Sequence, residues 1–127
     1  MEKMDHLATW IEIPVNDLDR AQAFYERIFA LDLQRLQITP ELSMALFPVG
    51  NGGVAGALCR HPGFYHPGQQ GPIVYLNGNP DLSTILDRVT EAGGKILVAK
   101  RQISAEYGYM GLFLDSEGNR LGIRSGS

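Results

Sequence analysis

Residues 9–17 read Thr-Trp-Ile-Glu-Ile-Pro-Val-Asn-Asp and decide the fold, because a short strand there leads directly into a helix. Neighbouring residues of a strand point to opposite faces, so this strand has one largely apolar face and one that carries Trp10 and Glu12. Apolar residues then recur at helical spacing after Asp17, whose carboxylate can cap the free amides of the first helical turn. We therefore expect the apolar face of the strand to pack beneath this helix. The residues on that face are Thr9, Ile11, Ile13 and Val15.

The same arrangement occurs again about 60 residues later, which makes the chain an internal repeat. Ile73–Leu76 is a second short strand before an amphipathic helix, and each copy continues through strand-like segments and a glycine-containing turn. Those turns are Gly50–Gly53 and Ser116–Asn119. The pattern predicts an α+β fold in which two paired β-α-β-β-β modules form a curved mixed sheet around a cleft, with the helices outside.

The predicted organisation is a single domain over residues 1–127. One module covers residues 8–60 and the other covers residues 72–125. The glycine and proline residues between them, over residues 61–71, are typical of a connecting segment.

The composition excludes several classes of protein. A hydrophobic content of 44% and a charged content of 20% are typical of a globular chain rather than a disordered one. A net charge of −3 argues against a nucleic-acid partner, and no apolar run is long enough to span a membrane. The single cysteine, Cys59, cannot form an internal disulfide, and the N-terminus lacks the apolar stretch of a signal peptide. We therefore expect a cytoplasmic protein.

Three motifs resemble those of one family. They are the strand and helix over residues 10–29, the helix end Ala92-Gly-Gly-Lys95, and the strand-turn-strand over residues 107–123 with its Asp115-Ser-Glu-Gly-Asn119 turn. Together they resemble the vicinal oxygen chelate superfamily, which includes glyoxalase I, bleomycin-resistance proteins, fosfomycin-resistance enzymes and extradiol dioxygenases. The resemblance covers nearly the whole chain and implies the fold. Because this fold hosts lyases, dioxygenases and pure binding proteins, the resemblance leaves the activity open.

The resemblance also identifies where a metal ion would bind. Metal enzymes of the superfamily hold a divalent ion in the cleft with His, Gln or Glu side chains. Carried over one at a time, three of those positions fall on Trp10, Pro72 and Gly122, and the fourth falls among the small and aliphatic residues 54–58. None of these side chains can bind a metal. The departure from the family pattern leads us to expect neither a metal nor another cofactor.

Glu12 is the leading candidate for a role in the cleft, because it shares a strand face with Trp10. It could anchor a cationic or hydroxylated ligand, act as a general base, or simply pair with an arginine. Arg120 and Arg124 lie two residues before and after Gly122, so they share its face of the last strand. A guanidinium on that face could bind a carboxylate or phosphate. The alternative for both arginines is a solvated charge or an ion pair with Glu12.

Aromatic residues are the remaining candidates. Trp10, Tyr107 and Tyr109 could form an aromatic wall for a planar ligand, although strand aromatics more often belong to a core. The predicted catalytic residue is Glu12. The predicted ligand-binding residues are Trp10, Glu12, Tyr107, Tyr109 and Arg124.

These observations predict a glyoxalase/bleomycin-resistance-like protein that binds a small organic molecule in the cleft without a metal. The alternative is a lyase or isomerase-type enzyme with Glu12 as general base and a divalent metal in a non-standard ligand set. The sequence leaves open which of these applies. Many relatives are homodimers, so the resemblance also implies a homodimer, with modules paired within or between chains.

Overall fold

A computed structural model describes residues 2–127 and contains two repeats of the order β-α-β-β-β. This confirms the predicted α+β class and element order. The first repeat comprises β1 (Trp10–Pro14), α1 (Leu18–Phe29), β2 (Gln34–Gln37), β3 (Ser43–Leu46) and β4 (Ala55–Arg60). The second comprises β5 (Tyr75–Asn77), α2 (Ser83–Ala92), β6 (Lys95–Ser104), β7 (Gly108–Leu114) and β8 (Arg120–Ser125).

Each repeat forms its own four-stranded mixed sheet, with the strand orders β1-β4-β3-β2 and β5-β8-β7-β6. The first strand of each repeat runs parallel to the last, and the remaining pairs are antiparallel. Equivalent hydrogen bonds recur in both sheets. The Val15 amide donates to the Cys59 carbonyl (2.9 Å), and the Gly78 amide donates to the Arg124 carbonyl (2.7 Å).

This correspondence matches residues of β1 with residues of β5. Glu12 corresponds to Tyr75, since these residues lie opposite Ala57 and Gly122 in equivalent registers. By the same register Trp10 corresponds to Ile73, one residue beyond the Pro72 expected from the sequence. Neither Ile73 nor Pro72 has a side-chain atom that could bind a metal.

One hydrophobic core joins both repeats beneath the helices. Ile13 and Val15 are buried there, and Ile11 packs against the same cluster, so the predicted apolar face of β1 is confirmed. The core also takes residues from α2 and from β7 and β8, including Val89 and Phe113. We call the opposite, helix-free face of each sheet the inner face.

The ends of the helices follow from local sequence. The Asp17 carboxylate accepts a hydrogen bond from the Arg20 amide at 3.0 Å, as expected of an N-cap. Gly93 ends α2 in the left-handed conformation (φ 108°), which glycine adopts without a Cβ penalty. In residues 2–127, neither helix is long and apolar enough to cross a membrane.

Glu117, in the turn between β7 and β8, joins the second repeat to the start of α1. Its carboxylate accepts hydrogen bonds from the amides of Asn16 (2.9 Å) and Asp17 (2.8 Å) and from Arg20 Nε (2.7 Å). Burial opposes the ionisation of Glu117, but these bonds outweigh it and hold the pKa of this carboxyl below its ordinary value. The negative charge also suits a helix N-terminus.

Asp115 and Asn119, the first and last residues of the same turn, also join the second repeat to the first. The buried Tyr25 hydroxyl donates to Asp115 Oδ2 at 2.6 Å, and Asn119 Nδ2 donates to the Pro14 carbonyl at 2.7 Å. The Asp-x-Glu-Gly-Asn turn therefore acts as the connection between the modules.

Candidate functional site

A cavity of about 750 Å³ lies between β1 and the start of β8 and is bordered by residues 61–71, which we call the linker. We call this cavity the cleft. Its walls come from both repeats, as the predicted pairing of modules around a cleft requires. The side chains in its walls that can hydrogen bond with a ligand are Glu12, His66, Gln69, Gln70, Asn119 and Arg120.

Glu12 lies on the inner face, as predicted, and two neutral donors fix its carboxylate. Trp10 Nε1 donates to one oxygen at 3.1 Å, and the Tyr65 hydroxyl donates to the other at 2.7 Å. Burial and the hydrogen bond to Glu12 together raise the pKa of Tyr65, so this hydroxyl stays protonated and remains a donor. Tyr65 belongs to the linker, and its bond to Glu12 holds the linker over the first sheet.

Arg120 is the cation that shares the cleft with Glu12. Its Nη2 donates to the Gly71 carbonyl at 2.9 Å, and its backbone amide donates to the Gly68 carbonyl at 3.4 Å. Its buried Nε has no hydrogen-bond partner within residues 2–127. The linker is therefore fastened to the second sheet by Arg120 and to the first by Glu12.

Arg124 and Tyr107 lie together but outside the cleft. Arg124 Nε donates to the Tyr107 carbonyl at 2.9 Å, and the guanidinium lies 5.8 Å from the centre of the Tyr107 ring. Arg124 borders a separate, smaller cavity of about 340 Å³ next to Asn77. Arg124, predicted to bind a ligand, therefore does not share the cleft with Glu12, because it lies further along β8, away from the linker.

Tyr109 lies on the opposite face of the second sheet from the cleft. It packs against the hydrophobic core on the helix side, with Lys100 Nζ 4.7 Å from its ring centre. Phe113, at the same parity of β7, is fully buried there. The aromatic wall predicted from Trp10, Tyr107 and Tyr109 is therefore not formed, and only Trp10 contacts Glu12.

The inner face does not provide the donor set with which the superfamily binds a metal. The ring of Tyr75 covers Gly122, since a Cβ on Gly122 would lie 2.5 Å from Tyr75 Cδ1. Within residues 2–127, no group of three or more His, Cys, Asp or Glu side chains is arranged to hold an ion. The residues present do not fit a divalent metal.

Cys59 lies beside Glu12 and Tyr65 and is fully buried. Burial, and after it the charge of Glu12, raise the pKa of the thiol to about 12. The thiolate is the nucleophilic form of cysteine, so this side chain does not serve as a nucleophile near neutral pH.

A second cavity of about 670 Å³ lies on the other side of the junction between the modules. It separates the β3–β4 hairpin from β5 and α2. Its walls are mainly apolar and include Ile11, Phe29, Phe47 and Ile85, with Asn77 and Asn79 as polar residues. The Gly50–Gly53 turn of the first module has no acidic side chains equivalent to Asp115 and Glu117. It therefore does not close this side of the junction between the modules.

Sequence reasoning did not identify Tyr65 or Tyr75 as site residues, and it considered Arg120 but left it out of the predicted ligand-binding set. Tyr65 lies in an irregular segment, where alternation between strand faces gives no information. Tyr75 acts on Gly122 through a pairing between distant strands. Arg120 shares the parity of Arg124, and only the path of the linker distinguishes the two.

Comparisons with known proteins agree with this geometry. The model of the Glyoxalase/Bleomycin resistance protein/Dioxygenase superfamily matches residues 3–123. No curated protein matches the chain at a significant level.

Solved structures with the same fold include three informative neighbours. A glyoxalase-related enzyme from Fulvimarina pelagi is 17% identical, with a TM-score of 0.69, and the match covers 96% of this chain and 88% of that one. Glyoxalase I from Zea mays is 20% identical, with a TM-score of 0.72, and the match covers 93% of this chain but only 44% of the maize chain. TnmS3, an antibiotic binding protein from Streptomyces sp. CB03234, is 21% identical, with a TM-score of 0.69 and full coverage of both chains.

Proposed function

Because the chain belongs to the Glyoxalase/Bleomycin resistance protein/Dioxygenase superfamily, we propose that it binds a small organic molecule in the cleft without a metal ion. The observation that carries this proposal is the cleft itself. Its volume of about 750 Å³ suits a small molecule, and its walls place hydrogen-bonding groups of both charges around one space. Trp10 does not line the cleft, but its half-exposed indole lies next to Glu12 and offers an apolar surface for a ring.

Two further observations support binding without a metal. The ring of Tyr75 fills the space into which a ligand residue at position 122 would project. TnmS3, which matches over its full length, is an antibiotic binding protein. We carry over from it only the idea that this fold, in a chain of this size, can act by binding.

Glu12 as a general base is the second candidate function, and the hydrogen bond from Tyr65 bears on it. Each carboxylate oxygen already accepts one hydrogen bond, from Trp10 or from Tyr65, and can accept another from a ligand. Transfer of a substrate proton to Glu12 would weaken both existing bonds, whereas binding leaves them in place. The geometry therefore favours a binding protein over a lyase or isomerase.

Native mass spectrometry of the protein purified from its own cells tests the proposal. We expect a bound organic mass that is lost on denaturation and that quenches or shifts the fluorescence of Trp10, the only tryptophan, when it is added back. Glu12→Gln should weaken rebinding while leaving the ligand chemically unchanged in both proteins. Conversion of the added molecule by the wild type but not by Glu12→Gln would establish the enzyme instead. Protein that is always empty and insensitive to added aromatic compounds would overturn the proposal.

We also infer that the chain is a single-domain homodimer. The core shared by α1 and α2 supports a single domain. Both outermost strands expose apolar side chains that a second copy could cover, among them Leu36 on β2 and Ile96, Leu97 and Ile103 on β6. Light scattering should give twice the chain mass, and a monomer at high concentration would contradict this.

A cytoplasmic location completes the proposal. The only cysteine, Cys59, is free and buried, which suits a reducing compartment. Fractionation of the native cells, with the protein detected by antibody, would test the location.

A further inference from the structure

Glu12 and Arg120 carry opposite charges in the walls of one cleft, yet neither forms an ion pair within residues 2–127. Only neutral groups satisfy them. Trp10 and Tyr65 donate to the carboxylate, and the Gly71 carbonyl accepts from the guanidinium. The two charges thus face one space without neutralising each other.

The surroundings keep these charges apart. Trp10 and Tyr65 hold both oxygens of Glu12 against the first sheet. The Gly71 carbonyl holds Arg120 against the linker, and the buried Nε of Arg120 still lacks a partner. A charge in a partly desolvated cleft attracts an opposite charge more strongly than it would in water. Nη1 of Arg120 also forms no hydrogen bond within residues 2–127 and, unlike Nε, it is not buried, so this guanidinium is suited to bind a carboxylate.

Building on the proposed function, we propose that the cleft selects a zwitterionic ligand of the amino-acid type. The ammonium group of the ligand lies near Glu12, and its carboxylate lies near Arg120. Its side chain, which carries an aromatic ring, extends past Glu12 to the half-exposed indole of Trp10, which hydrogen bonds with Glu12 but does not line the cleft itself. The neutral amides of Gln69 and Gln70 complete the polar wall without adding charge.

Four probes that share a phenyl ring separate the contribution of each charge. They are L-phenylalanine, 2-phenylethylamine, 3-phenylpropionate and the neutral 3-phenylpropanamide. Binding is measured by isothermal titration calorimetry and by Trp10 fluorescence excited where phenyl groups do not absorb. We expect L-phenylalanine to bind about 5- to 30-fold more tightly than either singly charged probe, which is the usual effect of one charged hydrogen bond at a partly exposed site.

Two variants test which residue binds each charged end of the ligand. Glu12→Gln should remove the advantage of L-phenylalanine over 3-phenylpropionate and leave 3-phenylpropionate binding unchanged. Arg120→Gln should remove its advantage over 2-phenylethylamine and leave 2-phenylethylamine binding unchanged. Arg124→Gln is the matched control, because it removes the same charge from the inner face of β8 outside the cleft and should change no affinity.

The outcomes distinguish this inference from the function on which it rests. Binding of 3-phenylpropanamide as tight as that of L-phenylalanine would overturn zwitterion selection and leave small-molecule binding intact. Failure of all four probes to bind would also overturn it, and the search for a bound native molecule would then decide the proposed function. If Arg120→Gln does not fold, comparing the four probes on the wild type and on Glu12→Gln still tests whether the cleft selects a zwitterion.

Discussion

The ring of Tyr75 lies directly on the Cα of Gly122, so closely that a Cβ at position 122 would fall 2.5 Å from Tyr75 Cδ1 and 2.8 Å from Cγ. The two residues face each other across the parallel pair β5–β8. Position 122 is where the family resemblance would have placed a metal-binding glutamate. Here an aromatic side chain takes the space, and the glycine is required for it to do so.

Gly122→Ala should therefore destabilise the protein by about 1 to 2 kcal/mol, since the added methyl group must displace a ring from the inner face. Urea unfolding followed by circular dichroism measures the change. In a Tyr75→Ala background the same substitution should cost much less, because its obstacle is gone. Gly50→Ala is the control, as a Cβ there meets nothing within 4 Å. Equal costs in both backgrounds would contradict the packing described.

Added divalent metal should leave thermal stability unchanged. A ligand that binds the folded state raises the melting temperature by mass action, and the effect grows with concentration. Because position 122 is covered and Trp10 carries no suitable donor, we expect the same melting temperature with zinc, nickel or manganese as with a chelator. A rise that depends on metal concentration, and that Glu12→Gln or His66→Ala removes, would reveal a non-standard site.

The sequence predicted the framework of the fold well, because local patterns determine it. Alternation correctly assigned the faces of β1, and Asp17 marked the start of α1. The same reasoning located Glu12 on the inner face. These features depend only on periodicity and capping within one element.

The candidate site was predicted less well, because it depends on contacts between distant segments. The role of Tyr65 follows from the course of an irregular linker, for which the sequence has no periodic signal. Tyr109 lies on the same face of β7 as Phe113 and packs against the core, whereas Tyr107 lies before β7 begins. The two tyrosines therefore do not form one wall, as the sequence had suggested. The path of the linker likewise decides that Arg120, and not Arg124, shares the cleft with Glu12.

The connection between the modules predicts a specific pH dependence. Hydrogen bonds from Arg20 and two backbone amides hold the pKa of Glu117 below its ordinary value, despite its burial. A depressed carboxyl pKa gives stability that is present above the unfolded value of about 4.3 and is lost as the pH falls through the folded value. Glu117→Gln should thus be less stable than the wild type at neutral pH by about 1 to 2 kcal/mol.

That difference should shrink as the pH falls below about 4, because the wild-type carboxyl then becomes protonated. Urea unfolding of both proteins across the acid range measures it. Glu106→Gln makes the same change at an exposed glutamate without hydrogen bonds in the described chain, and its effect should be small at every pH. If the difference in unfolding free energy between the two proteins stays constant down to the lowest pH, the stabilising role of the ionised Glu117 carboxylate is contradicted.

The thiol of Cys59 offers a direct report on the position of Glu12. With a pKa of about 12, caused by burial and then by the charge of Glu12, the native thiol is almost entirely protonated. At a pH of about 8 the thiolate fraction falls from about one quarter in the unfolded chain to about one in ten thousand. A thiol reagent should therefore label the native protein at least about a thousandfold more slowly than the urea-unfolded protein.

Glu12→Gln should speed this labelling several-fold, because it removes the neighbouring charge that opposes the thiolate while it keeps the size of the side chain. Well below the thiol pKa, the rate of both proteins should rise about tenfold per pH unit, with that of Glu12→Gln higher throughout. The matched control, Glu106→Gln, removes a charge that is not among those acting on Cys59 and should leave the rate unchanged. Unaltered labelling in Glu12→Gln would mean that the carboxylate does not act on the thiol, and the position of Glu12 on the inner face would then be wrong.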